Sequence, residues 1–217
     1  MTAVFSIVKR LLLSNKVSFM ITAIVVLCAT TSSDAEIALS NGNYTWLLAV
    51  MTPFFIVYYD DTKLMYLGTS KKDYYIGSLI SYGLLSVLIS LVNTGIHLFI
   101  DPLGRTQTVV NMMDVCGWTA NGIAAAFVQQ TLFLLFVMIF LHVLLSMQPY
   151  WYGWLTDGVL VAILCIFTPI APLRQLLAGF FKIIMLNPHA PLHIGICLLL
   201  CVALSFAGLG VLKRKTL

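Results

Sequence analysis

Imidazole and thiol side chains recur along this chain at helical spacing, and the first question is whether they hold a metal. Asn93 and His97 are four residues apart, His142 stands further on, and His189, His193, Cys197 and Cys201 run at intervals of four. Residues at i and i+4 share a helix face, which is how helices present zinc-binding nitrogen and sulfur. Metal-assisted hydrolysis also needs a carboxylate to take the proton of the metal-bound water. The only glutamate is Glu36, in a loop, and no carboxylate sits midway along the apolar stretches that carry these histidines. The pattern therefore assigns no catalytic residue and no metal site. The histidines are expected to satisfy polar contacts between helices, and the cysteines to pack as small apolar groups. Five cysteines, Cys28, Cys116, Cys165, Cys197 and Cys201, are an odd number with most in apolar stretches, which speaks against a disulfide framework.

The remaining polar groups inside apolar sequence are uncharged. Asn93, Thr94, Gln129 and Gln130 are costly in lipid and must face a partner helix or a cavity. They join helices to one another or line a translocation pathway. The absence of acid–base pairs at the same depth argues against a proton-coupled carrier. Phosphate chemistry is equally unsupported: Gly208-Leu209-Gly210 is followed by Val211-Leu212-Lys213-Arg214, and no Gly-x-x-x-x-Gly-Lys-Ser/Thr loop occurs.

The elements that carry these residues are membrane spans. Of 217 residues, 60% are apolar and only 9% charged, and the mean hydropathy is +0.99, against roughly 25% charged in a soluble domain. Residues 1–217 read as a single membrane domain of all-α class with six transmembrane helices. The spans fall near Val17–Ser33, Tyr44–Tyr59, Tyr74–Ile100, Thr119–Met147, Leu155–Pro172 and Ala190–Leu212. Pro53 predicts a kink in the second. Residues 1–16 read as a retained basic amphipathic helix on the inner membrane surface, rather than a signal peptide cleaved near Ser33-Asp34-Ala35. Residues 173–191 combine helical apolar content with Arg174, Gln175, Lys182 and Asn187, and are expected to be a re-entrant or interfacial segment on the outer side. With both termini inside, Lys9, Arg10, Lys16, Lys63, Lys71, Lys72, Lys213, Arg214 and Lys215 are cytoplasmic, against Arg105, Arg174 and Lys182 outside. That asymmetry sets the orientation.

The connection after the second span is too elaborate for a simple turn. Residues 60–77 read Asp-Asp-Thr-Lys-Leu-Met-Tyr-Leu-Gly-Thr-Ser-Lys-Lys-Asp-Tyr-Tyr-Ile-Gly. A short helix over 60–67, a stop at Gly68 and a new helix capped by Ser70, with Asp73 three residues on, are expected. Lys71 and Lys72 then fall in a first turn, where the helix dipole disfavours cations. They are either snorkelling lysines of the inner surface or part of a docking face.

The segment Leu67-Gly68-Thr69-Ser70-Lys71-Lys72-Asp73-Tyr74-Tyr75-Ile76-Gly77 resembles the Gly-x-Ser-basic-basic-acidic-aromatic-aromatic stretch after the second span of bacterial ABC-2 type transporter permeases. The basic N-terminal helix, the six spans and the extra segment before the last extend the resemblance over most of the chain. Lys71 stands where arginine is common, which keeps the charge and loses bidentate geometry. The resemblance implies that residues 60–73 are a coupling segment, with Asp60, Asp61, Lys63, Gly68, Ser70, Lys71, Lys72 and Asp73 docking on a separately encoded ABC ATPase dimer. ATP and Mg would be bound by that partner, with no cofactor in this chain. It further implies a second copy or a homologous permease beside this one, in a bacterial cytoplasmic membrane. The expected function is export of an amphipathic cargo, such as a peptide, antibiotic or lipid, by a chain that is not itself an enzyme. Membrane lipids are the other expected contact, and nucleic acid is not. The alternative is an ATPase-independent secondary carrier, channel or immunity-type membrane protein.

Overall fold

The computed structural model describes residues 2–28, 37–103 and 108–214. The end of the first predicted span, with Ser33-Asp34-Ala35 and Glu36, lies outside them, as do Arg105 and Lys215. The described chain is all-α apart from one pair of three-residue strands.

Helix α1 (Thr2–Ser14) turns Ile7, Val8 and Leu11 inward and leaves Lys9, Arg10 and Leu13 exposed, an amphipathic pattern. At Asn15, whose Nδ2 donates to the Leu11 carbonyl at 2.7 Å, the chain bends by 45° into α2 (Lys16–Cys28). Strand β1 (Ile37–Leu39) and a 3₁₀ turn over Asn41–Thr45 lead into α3 (Trp46–Phe55). Pro53 lies inside α3 and cannot donate to the carbonyl one turn back. The helix continues as a π turn over Ile56–Asp60, in which the Asp61 N–H reaches the Ile56 carbonyl. Where the sequence predicts a kink at Pro53, the structure has a widened turn that begins three residues after the proline.

After the short α4 (Asp61–Tyr66) comes α5 (Lys71–Phe99). Strand β2 (Thr108–Val110) pairs in parallel with β1, in the register Ile37 to Thr108 and Leu39 to Val110. Helix α6 (Met112–Val115) and a 3₁₀ turn over Trp118–Asn121 precede α7 (Ile123–Met147). Thr119, predicted inside the fourth span, therefore belongs to the approach to it. Then follow α8 (Trp151–Phe167), α9 (Ala171–Ile184) and α10 (Ala190–Arg214).

Among the described residues three helices, those carrying α5, α7 and α10, are long and apolar enough to cross a membrane, and the bent pair α1–α2 makes a fourth if taken as one span. Helix α8 is apolar but shorter. Helix α7 lies at the centre, against α3, α5 and α10. The main core joins Tyr74, Tyr75, Tyr82, Leu85, Ile89, Leu134, Met138 and Val143, and a second cluster gathers Met113, Cys116, Trp118, Phe133 and Ile184 near the strand-bearing end. Helices α8 and α9 bury little, and Trp151, Trp154, Leu155, Val161 and Leu176 are exposed.

Candidate functional site

The segment between α3 and α5 is an elbow held by local chemistry at both of its breaks. Helix α4 ends in a paired-carbonyl stop: the Gly68 N–H donates to Met65 O at 3.0 Å and the Thr69 N–H to Leu64 O at 3.1 Å. That geometry needs a left-handed residue, and Gly68 has φ of 79°. Two residues on, the Ser70 Oγ accepts from the Asp73 N–H at 3.1 Å and donates to Asp73 Oδ2 at 2.7 Å, which caps α5. Helix, break and capped helix follow the order legible in the sequence.

The eight residues predicted to face a partner do not all point the same way. Lys63, Gly68, Ser70 and Lys72 are exposed, while Lys71 and Asp73 are partly so. Asp60 and Asp61, at the junction of the π turn and α4, are buried, at 3% and 2% exposure. Burial raises the Asp60 carboxyl above its usual value of 3.8, opposed by a hydrogen bond from Ser14 and by the charges of Lys63 and Arg10. The tip is apolar instead: Tyr66 is 83% and Leu67 64% exposed. Neither is among the eight residues expected to dock, although two large apolar side chains next to a glycine stop in a charged loop are a visible signal.

Behind the elbow, tyrosines tie the start of α5 to three other helical segments. The Tyr74 hydroxyl donates to the Ile56 carbonyl at the start of the π turn (3.1 Å), and that of Tyr75 to the Ser205 carbonyl of α10 (3.1 Å). Tyr82 meets His142 Nδ1 of α7 at 2.7 Å. The three rings surround the imidazole with centroids 5.5–6.2 Å away.

The polar residues predicted to line a pathway separate into two groups. Asn93 is buried in a cluster where the Asn111 Nδ2 donates to Asn93 Oδ1 and to Ser40 Oγ, each at 3.1 Å, and Ser40 donates to Asp101 at 2.9 Å. Gly42 faces Asn93 so closely that a Cβ there would overlap the carboxamide. Gln129 donates to the Asn187 carbonyl at 3.2 Å. These two knit loops to helices. Gln130 is fully buried with both amide atoms lacking a hydrogen-bond partner among the described residues, and so is the Thr94 hydroxyl. Thr94 lies on α5 and Gln130 on α7, two helices joined by the Tyr82–His142 contact.

His142, His193, Cys116, Cys197 and Cys201 are buried in packing, whereas His189, Cys28 and Cys165 are exposed. His193 Nε2 donates to the Ile184 carbonyl at 2.8 Å, with Cys197 Sγ 3.7 Å away. His97 Nδ1 lies 3.5 Å from Asp101 and 3.7 Å from Asp114. Burial pushes the Cys116 thiol up to about 12, which leaves it an unreactive thiol. Among the described residues no three His, Cys, Asp or Glu side chains are grouped to hold a metal.

Fold and site together define an all-α protein with, among the described residues, three helices long and apolar enough to cross a membrane and a capped elbow at the start of the longest. Compared with protein-family models, curated proteins and solved structures, the chain matches none.

Proposed function

We propose that this chain is the permease subunit of an ABC-2 type exporter, moving an amphipathic cargo such as a peptide, antibiotic or lipid across a bacterial cytoplasmic membrane. ATP would be hydrolysed by a separate dimeric partner. The observation that carries this reading is the elbow: a rigid, capped turn that presents Tyr66, Leu67 and Lys72 outward and is bonded at its back to other helices through Tyr74 and Tyr75. Such a part suits the transfer of force from a docked protein to helices. A loop that merely connected spans would need neither the apolar tip nor the double stop.

In this reading α2, residues 44–59, α5, α7, α8 and α10 are the six crossings. Helix α1 lies on the inner surface, α9 is the outer re-entrant or interfacial segment, and both termini are cytoplasmic. The basic residues of α1, the elbow and the end of α10 then share the inner side, in accord with the charge rule. The amphipathic face of α9, with Arg174, Gln175 and Lys182 exposed, suits an interface better than the bilayer centre. Gln130 and Thr94 supply hydrogen-bonding groups with no partner among the described residues, fitting a cargo with both apolar and polar parts. A second permease copy would complete the pathway.

The test is affinity purification of the tagged chain from its own host. An ATPase with phosphate-binding loops should co-purify, and Leu67→Asp with Lys72→Glu should cut that recovery about tenfold, equivalent to ~1.4 kcal/mol, while the variant stays monodisperse. Transport by the purified chain alone in vesicles, with no ATPase recovered, would support the carrier or channel reading instead.

A further inference from the structure

Helix α1 is pinned on one side and open on the other. Its inward face packs so tightly on α5 that a Cβ at Gly77 would lie 2.8 Å from Ile7 Cγ2. Beside the 45° bend into α2 lies an open cleft of about 450 Å³, lined by Ser6, Lys9, Arg10, Leu13, Ser14 and Lys16. That volume falls in the roughly 300–1,000 Å³ of small-ligand clefts. Three of the lining residues are cations, two carry hydroxyls and none is acidic. From this cleft an apolar stripe continues down α2, where Val17, Met20, Ile21, Ile24 and Leu27 are exposed at helical spacing behind exposed Leu13. A cationic cleft at the head of an apolar stripe matches a molecule with an anionic head and hydrocarbon tails.

We propose that this cleft is a binding site for an anionic phospholipid, its phosphate held by Lys9, Arg10 and Lys16 and its acyl chains laid along α2. The inference rests on the membrane reading above and is independent of an ATPase partner. A free phosphate shares the headgroup chemistry, but it leaves the stripe on α2 uncovered. Arg10 and Ser6 also line a neighbouring cleft of about 340 Å³ against Leu67, Gly68, Ser70 and Asp73. Lipid bound at the bend therefore draws on a cation that also borders the elbow.

The experiment uses the whole chain in nanodiscs of phosphatidylcholine with a minority of phosphatidylglycerol in both leaflets, so its outcome does not depend on the orientation of the chain. Native mass spectrometry then counts the lipids retained. Wild type should retain phosphatidylglycerol in preference to phosphatidylcholine by about tenfold or more, since each basic residue near an anionic surface contributes several-fold. Lys9→Gln/Arg10→Gln/Lys16→Gln should lose that preference. Lys71→Gln/Lys72→Gln/Lys213→Gln, which removes the same charge elsewhere, should keep it, and so should Lys9→Arg/Lys16→Arg. Equal loss in both glutamine triples, or in neither, overturns the site. Displacement of the lipid by millimolar inorganic phosphate overturns the assignment to a lipid. If the first triple fails to fold by circular dichroism, the arginine variant and the second triple still decide, because loss of preference in either contradicts the proposal.

Discussion

Asp60 and Asp61 are adjacent carboxylates in a charged connection, and the resemblance casts them as residues that dock on a partner. The structure buries both, Asp60 as the last residue of the π turn and Asp61 as the first of α4, and the π turn has no sequence signal beyond Pro53. A buried carboxyl held above its usual range makes native stability depend on pH in a defined direction. Between 3.8 and the raised folded value the native state binds more protons at Asp60 than the unfolded chain does, so stability falls as pH rises through that window. Asp60→Asn should abolish this contribution. Its unfolding midpoint should exceed that of wild type at neutral pH, and the difference should shrink towards pH 4, as thermal unfolding of the two proteins across that range would reveal. An unchanged difference at all pH values would assign the burial cost to something other than ionisation. At the same scale, Asn93 and Gln129 were legible as polar groups needing partners; which partner each would find was not, because Asn111 and Asn187 come from remote loops.

Among the elements, the elbow was the most legible part of the chain, and the reason is that its signals are local. Gly68 and Ser70 act on backbone groups within five residues, so their effect survives whatever the rest of the fold does. A Cβ at Gly68 would meet nothing within 4 Å, and Gly68→Ala therefore pays only for its left-handed backbone, roughly 1–2 kcal/mol. Ser70→Ala removes the cap and costs about 1 kcal/mol. Both should speed amide hydrogen exchange over residues 65–74 and leave α7 unaffected. Loss of protection spread through α7 would mean that the elbow is a folding nucleus and not a separate part. The strand pair was illegible for the opposite reason: Ile37–Leu39 and Thr108–Val110 are too short to carry a pattern and lie far apart in sequence.

For the whole molecule, composition announced helices and apolar surroundings, and three helices meet the length and hydropathy of a crossing. Span boundaries shifted where aromatic or glycine-rich stretches were ambiguous: Trp151–Trp154, read as a connection, form the first turn of α8. The long-range ties between helices were invisible, since tyrosines at the start of α5 carry no mark of the carbonyls they reach. Tyr75→Phe should remove the α5–α10 bond at Ser205 at a cost of about 0.5–1.5 kcal/mol. Exchange near Ser205 and Gly208 should rise while that at Ile56 stays as in wild type, because Tyr74 holds the other tie. The β1–β2 pair has a mechanical consequence. It clasps the chain just before α3 to the chain just after α5, so that everything between them, elbow included, forms a closed hairpin with its fulcrum at the strands. Helix α5 is about 43 Å long at 1.5 Å per residue. A pivot of about 5° at the clasp would carry the far end of an arm of that length through roughly 4 Å at the elbow.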